Sequence, residues 1–174
     1  MLKMLGLAAL FAAGAATAHA DVETNYNIAG KWTGKGFVQK NETARKINVR
    51  CEVEGKADDG QLAFDGFCRA MLVIKRDIGV TLTRTGDSYA GIYIGSDVGP
   101  AELSGTRTDA ERLILTMTFP RNVNGDDVAV MTIEHGDPNA FMITTVDDME
   151  SGNAITTANI SFTRAGAPVK KAAR

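Results

Sequence analysis

Apolar and polar positions alternate along short runs through most of the chain. Past Asp21 these runs are rich in Val, Ile, Thr, Phe and Tyr, and no long stretch shows the 3.6-residue period of an amphipathic helix. The pattern predicts ten strands, at residues 28–40, 45–57, 61–74, 77–85, 88–95, 101–107, 112–120, 128–135, 140–147 and 156–164. We therefore predict an all-β fold, an antiparallel meander of about ten strands closed into a β-barrel, with a two-sheet sandwich as the alternative.

The register of the hairpin formed by the second and third strands can be derived from the sequence. Apolar residues or glycine occupy the odd positions from 47 to 53 and the even positions from 62 to 68. Asp59-Gly60 between them favours a two-residue type I′ turn. With this turn Cys51 lies directly opposite Cys68, in a non-hydrogen-bonded pair whose Cα atoms are about 4.5 Å apart. We therefore predict a Cys51–Cys68 disulfide.

Other roles for the two cysteines fit their number and spacing less well. A catalytic dithiol normally has C-x-x-C spacing, and a structural zinc ion needs four ligands. Neither requirement is met, because the chain has 2 Cys, at positions 51 and 68. The cysteines are therefore interpreted as a structural cross-link.

The strands at 112–120 and 128–135 form a second predicted hairpin, and two different turns could connect them. Both strands carry their apolar residues at odd-numbered positions. A two-residue Asn124-Gly125 turn would pair Phe119 with Val130 and place polar residues on the apolar face. A three-residue loop that includes Asp126 pairs Phe119 with Met131 instead. We predict the longer loop, because a one-residue slip moves the whole apolar set to the other face.

The N-terminus has the features of a secretory signal. Lys3 precedes an apolar run at 4–16, and Ala18-His19-Ala20 is a small-x-small cleavage site before Asp21. The run is shorter than the roughly 18–20 apolar residues that span a bilayer. We predict a cleaved signal at 1–20, a single barrel domain at 21–165 and a flexible tail at 166–174. The mature protein is then periplasmic or secreted in a bacterium, without a membrane span, in a compartment that permits disulfides.

Composition and charge remove several function classes. The chain has 174 residues, a formal net charge of −2 and basic residues that interleave with acidic ones. This indicates a charge-mixed outer face and no nucleic-acid partner. Paired aspartates such as those at 147–148 are interpreted as turn formers.

Reactive side chains are scarce. Signal cleavage leaves His135 as the only histidine, and it lies in a run interpreted as a solvated turn. The sequence has neither a G-x-S-x-G elbow nor a glycine-rich phosphate loop. We therefore predict no catalytic, cofactor-binding or metal-binding residue, no cofactor and no enzymatic activity.

The two ends of the predicted domain resemble those of calycins, the lipocalin, avidin and fatty-acid-binding barrels. Residues 28–34 contain the G-x-W pattern of the first calycin strand, and the last predicted strand, 158–164, ends in arginine, as the closing strand often does in that family. The resemblance implies that Trp32 packs across the closed end of the barrel with Arg164 stacked on it. Residues 88–126 are similar to small exported proteins of α-proteobacteria that have no established activity.

These observations lead to one main functional expectation and one alternative. We expect a non-enzymatic periplasmic envelope protein whose β-barrel binds a small lipophilic ligand or an envelope protein. The alternative is an inhibitor of a secreted or periplasmic hydrolase. A barrel of this strand number can enclose a ligand, but its interior can also be filled by its own side chains.

Overall fold

Ten antiparallel strands close into one barrel in the computed structural model, which describes residues 28–58, 60–71, 73–109 and 111–167. The strands are β1 (Gly30–Val38), β2 (Ile47–Asp58), β3 (Gln61–Ala70), β4 (Ile74–Thr85), β5 (Ser88–Ile94), β6 (Ala101–Arg107), β7 (Arg112–Val123), β8 (Asp126–Asp137), β9 (Ala140–Asp148) and β10 (Ala154–Arg164). Each strand pairs with the next along the chain, and β1 pairs with β10. The predicted closed barrel is confirmed, and the sandwich alternative does not apply.

Parts of the predicted domain scheme fall outside the described residues. The predicted signal at 1–20 and the tail from residue 168 onward belong to these parts. None of the described segments forms a helix with the length and hydropathy needed for a bilayer crossing.

The derived register of the β2–β3 hairpin is confirmed. Asp58 pairs with Gln61, and seven positions further along the ladder Cys51 pairs with Cys68, with Cα atoms 4.0 Å apart and a disulfide between them. Gly60 in the turn has a φ of +77°, a conformation that glycine adopts without strain. The disulfide therefore joins two directly paired strands.

The β7–β8 hairpin differs from the prediction. Val123 pairs with Asp126, so the turn consists of Asn124 and Gly125 alone, with φ values of 64° and 138°. The predicted three-residue loop is wrong. The ladder resumes only at Thr118, so β7 has three more residues than β8 in this stretch, and one of them is Pro120, which has no N–H to donate. This bulge absorbs the offset that the prediction assigned to the turn, and the apolar face stays inward.

Aromatic rings fill one end of the barrel interior, which we call the closed end. The ring centroid of Phe141 lies 4.9 Å from that of Trp32, 5.0 Å from that of Phe64 and 4.6 Å from that of Phe162. Gly34 makes room for this packing, because a Cβ atom there would lie 2.6 Å from the Phe162 ring. The closed end is therefore filled by its own side chains.

The other end, which we call the open end, carries the β1–β2 and β3–β4 connections. Val38 and Ile47 pair at this end and Ala70 is the last residue of β3, and all three are partly buried. Solvent therefore reaches part of the rim at the open end beside β1, β2 and β3.

Candidate functional site

Trp32 and Arg164, the residues implied by the calycin resemblance, lie together at the closed end. They are direct partners in the β1–β10 ladder, and the Arg164 guanidinium lies 4.3 Å from the centre of the Trp32 ring. Trp32 is 1% exposed, and its Nε1–H donates to the Ile28 carbonyl at 2.8 Å. Arg164 donates to the carbonyls of Ala29 at 2.6 Å and Pro138 at 3.2 Å. These contacts tie the first strand to the last, where the barrel closes.

His135 belongs to the same end and does not lie in a turn. It is half-buried in β8, its backbone N–H donates to the Glu111 carbonyl at 2.8 Å, and its ring stacks on Phe141 with an interplanar angle of 16°. The interpretation as a solvated turn residue is wrong, because β8 continues to Asp137 before the chain reverses.

Asp147 is a buried carboxylate in β9, so its interpretation as a turn former is wrong. It is 4% exposed and is the only charged side chain that is buried among the described residues. Its Oδ2 accepts a hydrogen bond from Asn124 Nδ2 at 2.8 Å, and the same amide group donates to the Lys40 carbonyl at 3.0 Å. Its Oδ1 has no hydrogen-bond partner among the described residues. The signal was present, because Asp147 continues the inward alternation that begins at Phe141 in β9.

Burial raises the pKa of the Asp147 carboxyl above its ordinary value. The hydrogen bond from Asn124 opposes this effect, and the negative charges of Asp126 and Asp148 add to it. The folded protein therefore holds the Asp147 proton more tightly than the unfolded chain does. Consequently the free energy of unfolding decreases as the pH rises from the unfolded pKa of about 4 through the higher folded pKa.

Replacing Asp147 by asparagine is expected to remove the decrease in the free energy of unfolding that accompanies the rise in pH. The stability of Asp147→Asn relative to the wild type should therefore increase between pH 4 and pH 7, measured as the urea midpoint at a series of pH values. Asp148→Asn is the matched control, because Asp148 is the next residue and is exposed. Midpoint curves of the wild type and Asp147→Asn that run parallel across this range would contradict the assignment.

A cleft of about 1140 Å³ lies on the outer surface near the open end, against β1, β2 and the end of β3. Its apolar lining residues are Phe37, Ile47, Val49 and Met71. Its charged lining residues are five cations and one carboxylate: Lys35, Arg45, Lys46, Arg50, Arg69 and Glu52. The Lys46 ammonium lies 4.2 Å from the centre of the Phe37 ring. The cleft therefore combines an apolar surface with a local excess of positive charge.

Strand register brings the cations of this cleft together. Lys35 lies directly opposite Arg50, and Arg50 lies directly opposite Arg69. Like charges in directly opposite positions destabilise a sheet. Within the described ranges no carboxylate forms an ion pair with any of the three. The charge-mixed outer face expected from the sequence is therefore wrong for this part of the surface.

Solved structures with the same fold have little sequence in common with this chain. Rv2717c from M. tuberculosis is 13% identical with a TM-score of 0.63, over 79% of this chain and 92% of that one. The S-type phycobiliprotein lyase CPES from Guillardia theta is 12% identical with a TM-score of 0.55, over 83% of this chain and 92% of that one. No protein-family model and no curated protein matches the chain. The shared fold is a calycin-like β-barrel.

The comparison corrects the expectation that the chain is not an enzyme. One barrel of the same fold, from Guillardia theta, is named as a lyase. A shortage of histidine and free cysteine was the ground for excluding catalysis, and that ground is wrong because the shared architecture includes an enzyme. The likeness extends to the fold, so the chemistry of this chain must be argued from its own residues.

Proposed function

We propose that this protein is an extracytoplasmic calycin-like barrel that binds a small lipophilic molecule carrying an anionic group in the cleft on its outer surface near the open end. The observation that carries the proposal is the composition of the cleft, in which five cations and one carboxylate accompany four apolar residues. An apolar lining with a few convergent polar groups is typical of small-molecule sites.

The chemistry of the cleft favours an amphiphilic anion over a purely apolar molecule. Arg50 and Arg69 carry planar guanidinium groups that suit carboxylate, sulfonate or phosphate oxygens. Phe37 and Met71 offer apolar surface within the same cleft. The closed end of the barrel is filled with aromatic rings, which disfavours a ligand that reaches deep into that half of the interior.

The proposed location is the bacterial periplasm or the exterior of the cell. The signal-like segment at 1–20, the similarity to exported α-proteobacterial proteins and the Cys51–Cys68 disulfide support it together. A lipophilic anion in this compartment would come from the envelope or from the medium. The protein would then act as a carrier or receptor for that molecule.

A fluorescent probe of matching chemistry tests the site. Anilinonaphthalene sulfonate, an aromatic amine with one sulfonate, is expected to bind with enhanced emission, and uncharged phenylnaphthylamine is expected to bind more weakly. The double variant Arg45→Gln/Lys46→Gln should weaken sulfonate binding by on the order of tenfold, because each exposed cation contributes up to about 1 kcal/mol. The dissociation constant for each probe is measured by titration.

A charge-matched control separates the cleft from general electrostatics. Lys56→Gln/Arg84→Gln removes two exposed cations from the closed end and should leave probe binding unchanged. Equal affinities of the wild type and Arg45→Gln/Lys46→Gln for the sulfonate would refute the proposed site. Native mass spectrometry of the protein from a periplasmic extract would identify the natural ligand. The mass of the protein itself would place its N-terminus, which is expected at Asp21.

A further inference from the structure

The turn between β3 and β4 carries apolar side chains into solvent. Met71, Val73 and Ile74 are 60%, 85% and 51% exposed, and they lie within four positions of the chain at the open end. Met71 also has a φ of 49°, which a non-glycine residue rarely adopts. We call these three residues the apolar tip. Exposed apolar residues are ordinary when single, but a cluster at a turn indicates a contact surface.

A row of cations borders the apolar tip. Lys35, Arg50, Arg69 and Lys75 occupy directly opposite positions across β1, β2, β3 and β4. Lys75 follows Ile74 in the sequence, so the row begins immediately beside the tip. We call these four residues the basic row.

The basic row is weakly neutralised by the protein itself. Lys75 has Asp77 at 3.4 Å, whereas Lys35, Arg50 and Arg69 form no ion pair within the described ranges. Arg69 and Lys75 both lie over the Phe67 ring, at 4.9 Å and 4.5 Å from its centre. Four cations in register repel one another, so an external anionic surface would relieve this repulsion.

We propose that the apolar tip and the basic row dock this protein on the surface of a bilayer that contains anionic phospholipid. The side chains of Val73 and Ile74 would enter the boundary between headgroups and acyl chains, and the basic row would lie against the phosphates. Apolar insertion combined with basic residues is the general physical basis of peripheral membrane binding. Lys35, Arg50 and Arg69 of the basic row also line the cleft, whereas Val73 and Ile74 do not, so only these two residues of the apolar tip distinguish bilayer docking from ligand binding.

Charge complementarity favours a bilayer over the other occupants of this surface. A second copy of the chain that docked through the same surface would bring one basic row against another. A nucleic acid or a soluble polyanion would engage the basic row and leave the apolar tip in water. An anionic bilayer satisfies both features, because it offers phosphates and an apolar interior within a few ångströms of each other.

Vesicle sedimentation of the full chain tests the proposal. Vesicles of phosphatidylcholine alone are compared with vesicles in which one third of the lipid is phosphatidylglycerol. We expect at least tenfold tighter binding to the anionic vesicles and loss of this preference in about 0.5 M salt.

Arg50→Gln/Arg69→Gln should weaken binding roughly fivefold per cation. Val73→Ser/Ile74→Ser should weaken it severalfold with the charge unchanged, and neither of these two residues lines the cleft.

Residues 1–27 are the same in all variants, so differences between variants do not come from them. Two control variants test whether the loss of exposed apolar or basic side chains elsewhere on the surface has the same effect. Val128→Ser/Val130→Ser replaces two half-exposed apolar residues on β8, and Lys56→Gln/Arg84→Gln removes two cations at the closed end. Both controls should bind anionic vesicles as the wild type does. Equal binding to the two vesicle types, or binding by Val73→Ser/Ile74→Ser that matches the wild type, would overturn the proposal. A probe titration with Val73→Ser/Ile74→Ser should be unaffected, which separates the bilayer contact of Val73 and Ile74 from ligand binding in the cleft.

Discussion

Replacing Trp32 by alanine is expected to destabilise the barrel by about 3–5 kcal/mol, the range observed when a large buried aromatic side chain is truncated. Trp32 is 1% exposed and contacts Phe141 edge-on at a centroid distance of 4.9 Å. The change also removes the donor to the Ile28 carbonyl and the ring under the Arg164 guanidinium. The loss should therefore combine a cavity with the release of contacts between the first and last strands.

The measurement is urea unfolding followed by far-ultraviolet circular dichroism, because Trp32 is the only tryptophan and its fluorescence disappears in the variant. Phe67→Ala is the matched control, since Phe67 is a half-buried aromatic residue on the outer face of β3. It should lose far less stability. Comparable losses in the two variants would show that the Trp32 corner does not hold the barrel closed.

Strand existence and local register could be predicted from the sequence because both depend on neighbouring residues. In β2 and β3, alternation fixes which residues face inward, and the two-residue turn after Asp58 fixes which positions are opposite. With both known, the Cys51–Cys68 contact follows by counting. The closed barrel follows less directly, since ten short strands in a meander also suit a sandwich.

The β7–β8 register could not be predicted in this way, because a bulge is a local departure from alternation. A turn and a bulge correct the same offset, and the alternation of apolar and polar residues alone does not distinguish them. Pro120 was the available signal, since a residue without an N–H fits a bulge better than the interior of a ladder. The prediction assigned the offset to Asp126 in the turn instead.

The cleft and the basic row were missed for a different reason. Lys35, Arg50 and Arg69 are separated by at least fifteen positions in the chain, and a net charge of −2 gives no sign that they meet. Their juxtaposition depends on the register of two ladders, β1–β2 and β2–β3, and only the second was derived. A charge count averages over the whole surface, whereas binding depends on the local arrangement.

Reduction of the Cys51–Cys68 disulfide is expected to lower the free energy of unfolding by about 3 kcal/mol, because the cross-link restricts the unfolded chain across a sequence separation of 17. The folded barrel should persist, since the paired ladder from Asp58 to Val49 holds β2 on β3 without the bond. The urea midpoint of the wild type should therefore fall on addition of a phosphine reductant, and the slope of the transition should rise as the unfolded state expands.

The double variant Cys51→Ala/Cys68→Ala provides the control, since it should unfold near the midpoint of the reduced wild type and show no further response to reductant. Both cysteines are buried, at 2% and 9% exposed, so part of the stability that the double variant loses will come from poorer packing. This part will be the same with and without reductant. The difference between oxidised and reduced wild type isolates the cross-link itself. An unchanged midpoint after verified reduction to two free thiols would mean that the ladder alone accounts for the stability of this hairpin.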